Sequence, residues 1–152
     1  MSYCFDTSAL IAAWSERYPL RRVPRFWDRI DELIAAGRLC APEEVRREIK
    51  KKSDGLYDWV NARKQIFVDL EEAVQLQARN VLTEYPWLLK NVPGKSPADP
   101  FVIALALDRG LTVVTEEGPG GARKPQIPYV CEAKGVRCLN LLGLLDEEDW
   151  IL

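Results

Sequence analysis

Residues 100–114 read PFVIALALDRGLTVV, a helix-forming segment followed at once by a strand. The apolar residues predict a helix over 100–109, and Gly110 is typical of a residue that ends one. Residues 111–114 form the clearest strand of the chain, because aliphatic and β-branched side chains follow one another there. A helix that leads directly into a short apolar strand is typical of α/β proteins with a parallel sheet.

The same alternation extends outward from this segment. Further strands are predicted over 2–5, 38–41 and 136–139. Further helices are predicted over 8–14, 24–36, 42–51, 56–60, 67–82 and 128–134, and from residue 141 onward. A connector with proline and glycine covers 92–97. We therefore expect one α/β domain over residues 1–152 with a parallel sheet, whose sites lie beyond the carboxyl ends of the strands.

Composition excludes several classes of protein. The chain has 47% hydrophobic and 29% charged residues, which is ordinary for a folded protein, and no apolar run approaches the length needed to cross a bilayer. The beginning lacks the pattern of a signal peptide, so we expect a cytoplasmic protein without a membrane span. The four cysteines lack metal-site spacing and are expected to be reduced. The absence of histidine excludes every histidine-dependent catalytic or metal site.

The net charge of −2 means that a polyanion would have to bind to local basic patches. Two such patches are present: Arg21, Arg22, Arg25 and Arg29, and then Arg46, Arg47, Lys50, Lys51 and Lys52. Clustered charge on a helix is more often only a solvated surface. The patches are therefore compatible with nucleic-acid binding and do not establish it.

Acidic residues follow the predicted strands, and each has a simple structural interpretation. Asp6 and Asp99 stand where N-caps of helices would stand. Glu48 lies at the edge of a buried helix face, where an ion pair with a basic neighbour is expected. Glu116 and Glu117 enter a glycine-rich loop, where acids are normally solvated. Taken singly, none of these positions predicts a function.

Taken together, the acids predict a metal site. A parallel sheet would bring these strand and helix ends to one edge, where several carboxylates repel one another unless a cation neutralises them. With oxygen ligands and no histidine, Mg²⁺ or Mn²⁺ is the natural ion. Water bound to such an ion can attack a phosphodiester, and the ion also shields the charge that develops on the phosphoryl oxygens.

Four segments in order resemble the acidic motifs of PIN domains, and the resemblance spans nearly the whole chain. They are Asp6-Thr7-Ser8-Ala9-Leu10-Ile11, Val45-Arg46-Arg47-Glu48-Ile49, Ala98-Asp99-Pro100-Phe101-Val102-Ile103-Ala104-Leu105-Ala106 and Val113-Val114-Thr115-Glu116-Glu117. The resemblance implies a three-layer α/β/α fold with a central parallel sheet. It also implies an Mg²⁺- or Mn²⁺-dependent endoribonuclease, and small members often resemble VapC-type toxins with a partner antitoxin.

The resemblance assigns roles to particular residues. Asp6, Glu48, Asp99 and Glu117 are the expected catalytic metal-binding acids, although Glu116 is a second candidate for the fourth position, where PIN domains usually have Asp or Asn. Ser8 and Thr115 are expected to hydrogen-bond the ligands or a scissile phosphate. The residues expected to contact the RNA backbone are Arg22, Arg25, Arg46 and Lys124.

Two other functions stay open on the sequence. A catalytically silent PIN-like domain would bind RNA or protein without cleaving it. An aspartyl-phosphate phosphatase would use Asp6 as its nucleophile, but such enzymes usually have a second Asp where this chain has Ser8. A homodimer is also an open possibility, with Trp87 and Trp150 as candidate interface residues that could equally lie in the core.

Overall fold

The computed structural model describes residues 1–89 and 97–152, and a five-stranded parallel sheet forms its centre. The strands lie in the spatial order β3-β2-β1-β4-β5. In chain order they are β1 (Tyr3–Phe5), β2 (Leu39–Pro42), β3 (Phe67–Val68), β4 (Thr112–Val114) and β5 (Cys138–Leu139). In the centre of the sheet, Cys4 is in register with Cys40 on one side and with Val113 on the other. The predicted parallel α/β fold is confirmed.

Helices cover both faces of this sheet. They are α1 (Thr7–Ala12), α2 (Pro24–Ala35), α3 (Glu43–Lys52), α4 (Asp54–Asn61), α5 (Glu72–Glu84), α6 (Asp99–Arg109), α7 (Ile127–Lys134) and α8 (Leu141–Glu148). A π-helical turn, Ala13–Arg17, continues α1, and short 3₁₀ segments cover Lys64–Ile66 and Pro86–Leu89. Because parallel crossovers are right-handed, the helices between β1 and β3 lie on one face and those between β3 and β5 on the other. The result is the expected three-layer arrangement.

The core explains why the central elements are so apolar. All three residues of β1 are fully buried, as in a parallel strand that is covered on both faces. Helix α6 contacts β1, β2 and β4 on one side and α5 on the other. Its residues 102–106 are consequently all buried, and the helix is apolar around most of its circumference. Gly110 ends α6 in the left-handed conformation, with a φ of 66°.

The middle of the chain differs from its predicted structure. The predicted helix over 67–82 is wrong at its start, because Phe67 and Val68 form the edge strand β3 beside Ala41 and Pro42. Helix α5 begins only at Glu72. Two apolar residues do not distinguish a strand from a helical turn, and the exposed edge of β2 decides the outcome. Of the predicted connector over 92–97, residues 92–96 lie outside the described residues.

Smaller expectations can also be compared with the structure. Cys4, Cys40 and Cys138 lie in strands, and all four thiols are free. Trp150 is partly buried and its ring meets that of Phe26 edge-on at 6.1 Å, which favours its interpretation as a core residue. No helix within residues 1–89 and 97–152 combines the length and the apolar character needed to span a membrane.

Candidate metal centre

The candidate site lies at the topological switch point of the sheet, between β1 and β4. Strands β1 and β4 are neighbours, but the crossovers that follow them lie on opposite faces, which opens a crevice at their carboxyl ends. Asp6 directly follows β1, and Glu117 lies just beyond β4. Helix α6 runs back toward the start of β4, so its first residue, Asp99, reaches the same crevice.

Three of the predicted acids meet there. Asp6, Asp99 and Glu117 each place a carboxylate oxygen within 4.8 Å of the other two. Asp6 and Asp99 are each only 1% exposed, and Glu117 is half-buried. Positions separated by more than a hundred residues therefore form one group, which we name the acid triad.

Asp99 is the least satisfied member of the acid triad. The expectation that it is an N-cap is wrong, because Ala98 occupies the cap position and Asp99 lies in the first turn of α6. Neither of its oxygens accepts a hydrogen bond from an N–H or hydroxyl group of the described residues. Burial, followed by the charge and the carboxyl–carboxyl interaction of Glu117 and then by the charges of Asp6 and Glu48, raises its pKa well above the ordinary value. A buried carboxylate without donors is costly, and a cation is the usual partner of such a group.

Asp6 is held by its neighbours. Its side chain caps α1 by accepting a hydrogen bond of 2.8 Å from the backbone N–H of Ala9, as its N-cap interpretation predicted. The Ser8 hydroxyl lies 2.9 Å from both carboxylate oxygens, and the Thr115 hydroxyl donates to one of them. Burial raises the pKa of Asp6 to about 7, although the hydrogen bonds from Thr115 and Ala9 lower it. The cap and the acid triad therefore use the same carboxylate.

Ser8 and Thr115 also connect the ends of β1 and β4. The backbone N–H of Glu116 donates to the Ser8 oxygen at 3.0 Å, and that of Glu117 donates to the Thr115 oxygen at 3.1 Å. The two hydroxyl oxygens are 3.2 Å apart. These contacts orient Asp6 relative to Glu117, so both hydroxyls lie where hydrogen bonds to the acidic ligands were expected.

Glu116 and Glu117 point to different helices. One oxygen of Glu117 accepts a 3.0 Å hydrogen bond from the backbone N–H of Ile127, the first residue of α7. Glu116 instead accepts a 2.9 Å bond from the backbone N–H of Leu141, the first residue of α8, and pairs with Arg17 at 3.4 Å. Among the described acids, Glu117 and not Glu116 therefore belongs to the acid triad.

This geometry explains why the longer acid is useful at position 117. Its carboxylate faces Asp6 and Asp99 and also caps α7, and an Asp is one methylene shorter. We predict that Glu117→Asp lowers Mn²⁺ affinity by about 10–100-fold, the usual range when support of a metal ligand is lost. Isothermal titration calorimetry measures the Mn²⁺ affinity of each protein. Glu116→Asp is the matched control and should bind Mn²⁺ as the unmodified chain does, so equal affinities for all three proteins would contradict the assignment.

Glu48 lies next to the acid triad and outside it. It is 8% exposed, and one of its oxygens accepts hydrogen bonds from the Thr7 hydroxyl at 3.1 Å and the Ala98 backbone N–H at 3.2 Å. Its other oxygen lies 3.9 Å from the Lys52 ammonium, the type of ion pair considered from the sequence. Glu48 thus ties α1 and the start of α6 to α3, beside Asp99.

The structure does not gather the four predicted RNA-contacting residues at the site. Arg22 and Arg25 are exposed near the start of α2. Arg46 lies about 200° around α3 from Glu48 and is bound to Glu43 and, at 3.2 Å, to Asn61. The Lys124 ammonium lies 5.8 Å from the centre of the Trp87 ring. Their contact with RNA stays a prediction.

Two other basic residues lie closer to the acids. Arg17 and Lys52 line a cavity of about 350 Å³ together with Ser8 and Glu117. Lys52 stands one helical turn after Glu48, a spacing that identifies it as a neighbour once Glu48 is placed. Arg17 carries no such signal in the sequence, because the π-helical turn that positions it is not predicted from residue type.

The acid triad suits a hard divalent cation. All of its donors are carboxylate oxygens, the ligand type that Mg²⁺ and Mn²⁺ prefer. Asp99 offers oxygens that no described donor occupies, and burial, followed by repulsion within the group, raises its pKa; a bound cation would offset this repulsion. The residues present therefore fit such an ion.

Comparison with known proteins supports the fold and gives the family. No curated protein matches this chain. The VapBC complex of Salmonella typhimurium, solved bound to DNA, contains a chain of similar structure. The match covers 92% of this chain and 98% of that chain, with 17% sequence identity and a TM-score of 0.55. VapBC2 of Rickettsia felis, bound to a DNA fragment from its promoter, covers the same shares with 12% identity and a TM-score of 0.54. At these identities the likeness shows the fold alone, and it confirms the PIN-like fold. Residues 3–152 match the family described as "Domain of unknown function (DUF4411)", and the chain belongs to that family.

Proposed function

We propose that this protein is a Mg²⁺- or Mn²⁺-dependent endoribonuclease that hydrolyses phosphodiester bonds of RNA. The observation that supports it most directly is Asp99, a buried carboxylate without a described hydrogen-bond donor, facing Asp6 and Glu117 within 4.8 Å. A structural role for Asp99 would need a donor or an ion pair. The position at a topological switch point is where ligands bind in open α/β sheets.

The acids fall into two pairs in this proposal. Asp6 and Asp99 would hold the metal directly, while Glu117 and Glu48 would hold it through water or orient the attacking water. A bound Mg²⁺ or Mn²⁺ would make water a stronger nucleophile and offset the charge that develops on the phosphoryl oxygens. Ser8 and Thr115 keep the Asp6 carboxylate in position through their hydrogen bonds.

Two basic side chains beside the acids are the candidates for contact with the RNA backbone. Arg17 and Lys52 line the cavity that adjoins Glu117, so they can bind phosphates on either side of the cleaved bond. Arg22, Arg25 and Lys124 would extend this contact along the strand. Such contacts supply affinity without sequence choice. The choice of RNA as substrate rests on the PIN-like fold.

The direct test is cleavage of a fluorescently labelled RNA by the purified chain. We expect cleavage with Mn²⁺ or Mg²⁺ and none with EDTA, and titration calorimetry should detect Mn²⁺ binding. If the folded chain binds no Mn²⁺, the proposal is wrong and the alternative of a catalytically silent RNA- or protein-binding module is favoured.

We further propose a cytoplasmic protein that acts as the toxin of a toxin–antitoxin pair, with a protein antitoxin as partner and a homodimer as a second possible assembly. The support is the similarity of the fold to the VapBC complexes of Salmonella typhimurium and Rickettsia felis. Induced expression of the chain alone should then arrest bacterial growth, whereas Asp6→Asn at equal abundance should not. Unimpaired growth with abundant, folded, RNA-cleaving protein would contradict the toxin role and leave the nuclease proposal intact.

A further inference from the structure

We propose that the cavity between α7 and β5 binds a guanine base of the RNA, next to the phosphodiester that is cleaved. This inference rests on the proposed function and adds a sequence preference to it. The cavity has a volume of about 420 Å³, within the ~300–1,000 Å³ range of small-molecule sites.

The cavity adjoins the acid triad at Glu117. Thr115 and Glu117 line this cavity, and Glu117 also lines the smaller cavity that is lined by Arg17 and Lys52. Both cavities therefore adjoin the same member of the acid triad. A strand whose phosphate lies at the acids can place the adjoining base in the larger cavity, while the next phosphate meets Arg17 and Lys52.

The walls of the larger cavity suit the faces of a base. Pro119 and Pro128 line it from the loop after β4 and from the start of α7, and Leu139 lines it from β5. Apolar side chains can cover the flat faces of an unstacked base. A base in a duplex is stacked and paired, so this cavity admits a base only from single-stranded RNA.

The rim of the cavity carries complementary polar groups. Glu132 stands one helical turn after Pro128 and lines the same cavity. Its carboxylate is exposed and has no hydrogen bond or ion pair with the part of the chain that the structure describes. Asn140 also lines the cavity, and its Oδ1 accepts a 2.8 Å bond from Gly143 as the N-cap of α8. The amide N–H₂ of Asn140 is therefore left to donate.

These groups match guanine better than the other bases. Guanine presents two adjacent donors, N1–H and N2–H₂, to one carboxylate, and its O6 accepts from an amide. Adenine and cytosine offer one amino group, and uracil offers one N–H between two carbonyls. The negative charge of Glu132 also disfavours a phosphate at this position, so the cavity selects a base.

The test uses single-stranded RNAs that differ at one position in an otherwise uridine strand. Cleavage next to guanosine should exceed cleavage next to uridine by at least about tenfold, the value of one hydrogen bond to a charged group. Inosine, which lacks only the N2 amino group of guanosine, should lose most of this preference.

Variants connect the preference to the cavity. Glu132→Gln replaces one acceptor by a donor and should lower the guanosine-to-uridine ratio by about tenfold. Asn140→Asp keeps the N-cap of α8 but puts a carboxylate near O6, and should also lower the ratio. Glu72→Gln, on the exposed surface of α5, is the matched control and should keep the ratio. Because each result is a ratio, the folded fraction of a preparation cancels.

The outcomes separate the two proposals. If the chain cleaves RNA without distinguishing guanosine from inosine, or if Glu132→Gln keeps the full preference, the base site is wrong and the nuclease stands. If no RNA is cleaved with Mn²⁺ by the folded chain, both proposals are wrong.

Discussion

Asp6→Asn is expected to lower metal-dependent RNA cleavage by a factor on the order of 10³ or more, because a neutral amide is a poor ligand for a hard cation. Helix α1 should keep its stability, because Asn is as good an N-cap as Asp and can still accept the hydrogen bond from the backbone N–H of Ala9. Initial cleavage rates with Mn²⁺, compared at equal protein concentration, measure the loss. Circular dichroism and thermal melting check the fold.

The matched control is Asp28→Asn, at an exposed position of α2. It removes the same charge from the chain and should leave the cleavage rate within about twofold, because exposed substitutions away from a site have small effects. Equal activity of Asp6→Asn and Asp28→Asn would show that cleavage does not depend on the acid triad, and that a contaminating nuclease or another site is responsible.

The second large effect concerns stability without metal. In EDTA, the free energy of unfolding should fall as the pH rises from about 4 to about 7. The unfolded chain releases the protons of Asp6 and Asp99 near their ordinary pKa, whereas the folded chain retains them to higher pH. For Asp6, whose pKa rises from 3.8 to about 7, the loss amounts to about 4 kcal/mol. Below the ordinary pKa both states are protonated and no penalty remains.

Asp99→Asn removes a large part of this penalty. The variant cannot ionise at position 99, and its amide can donate to a neighbouring carboxylate, so at pH 7.5 in EDTA it should be more stable than the unmodified chain. Mn²⁺ should reduce this difference in stability. It stabilises the unmodified chain by about 2.7 kcal/mol at a hundred times its Kd, and should hardly affect the variant.

Urea unfolding at pH 4 and 7.5, with EDTA or Mn²⁺, measures these differences in the free energy of unfolding. Asp108→Asn, at an exposed position of the same helix, should change stability by no more than about 0.5 kcal/mol. If Asp99→Asn is less stable than the unmodified chain in EDTA at pH 7.5, Asp99 contributes to the fold as an ordinary structural acid. That result would contradict the inference that the acid triad lowers the stability of the metal-free fold.

Acids that follow apolar strands were visible in the sequence, and the meaning of each depended on contacts that the sequence does not record. Asp6 satisfies its local interpretation as an N-cap and the distant one as a member of the acid triad. Asp99 fits only the second, because α6 begins one residue earlier than its cap role requires. Glu48 best fits its structural interpretation as an acid with an ion pair, because it pairs with Lys52 and also accepts hydrogen bonds from Thr7 and Ala98.

By itself the sequence determined the parallel sheet and the place of the acids at its carboxyl edge, because burial on both faces demands short apolar strands and these patterns are local. Only the tertiary structure decided that Phe67 and Val68 pair with β2, that Glu117 rather than Glu116 faces Asp6, and that Arg17 reaches the site. Each of these outcomes depends on which helix end or strand edge lies opposite, and that is set by packing between residues far apart in the chain.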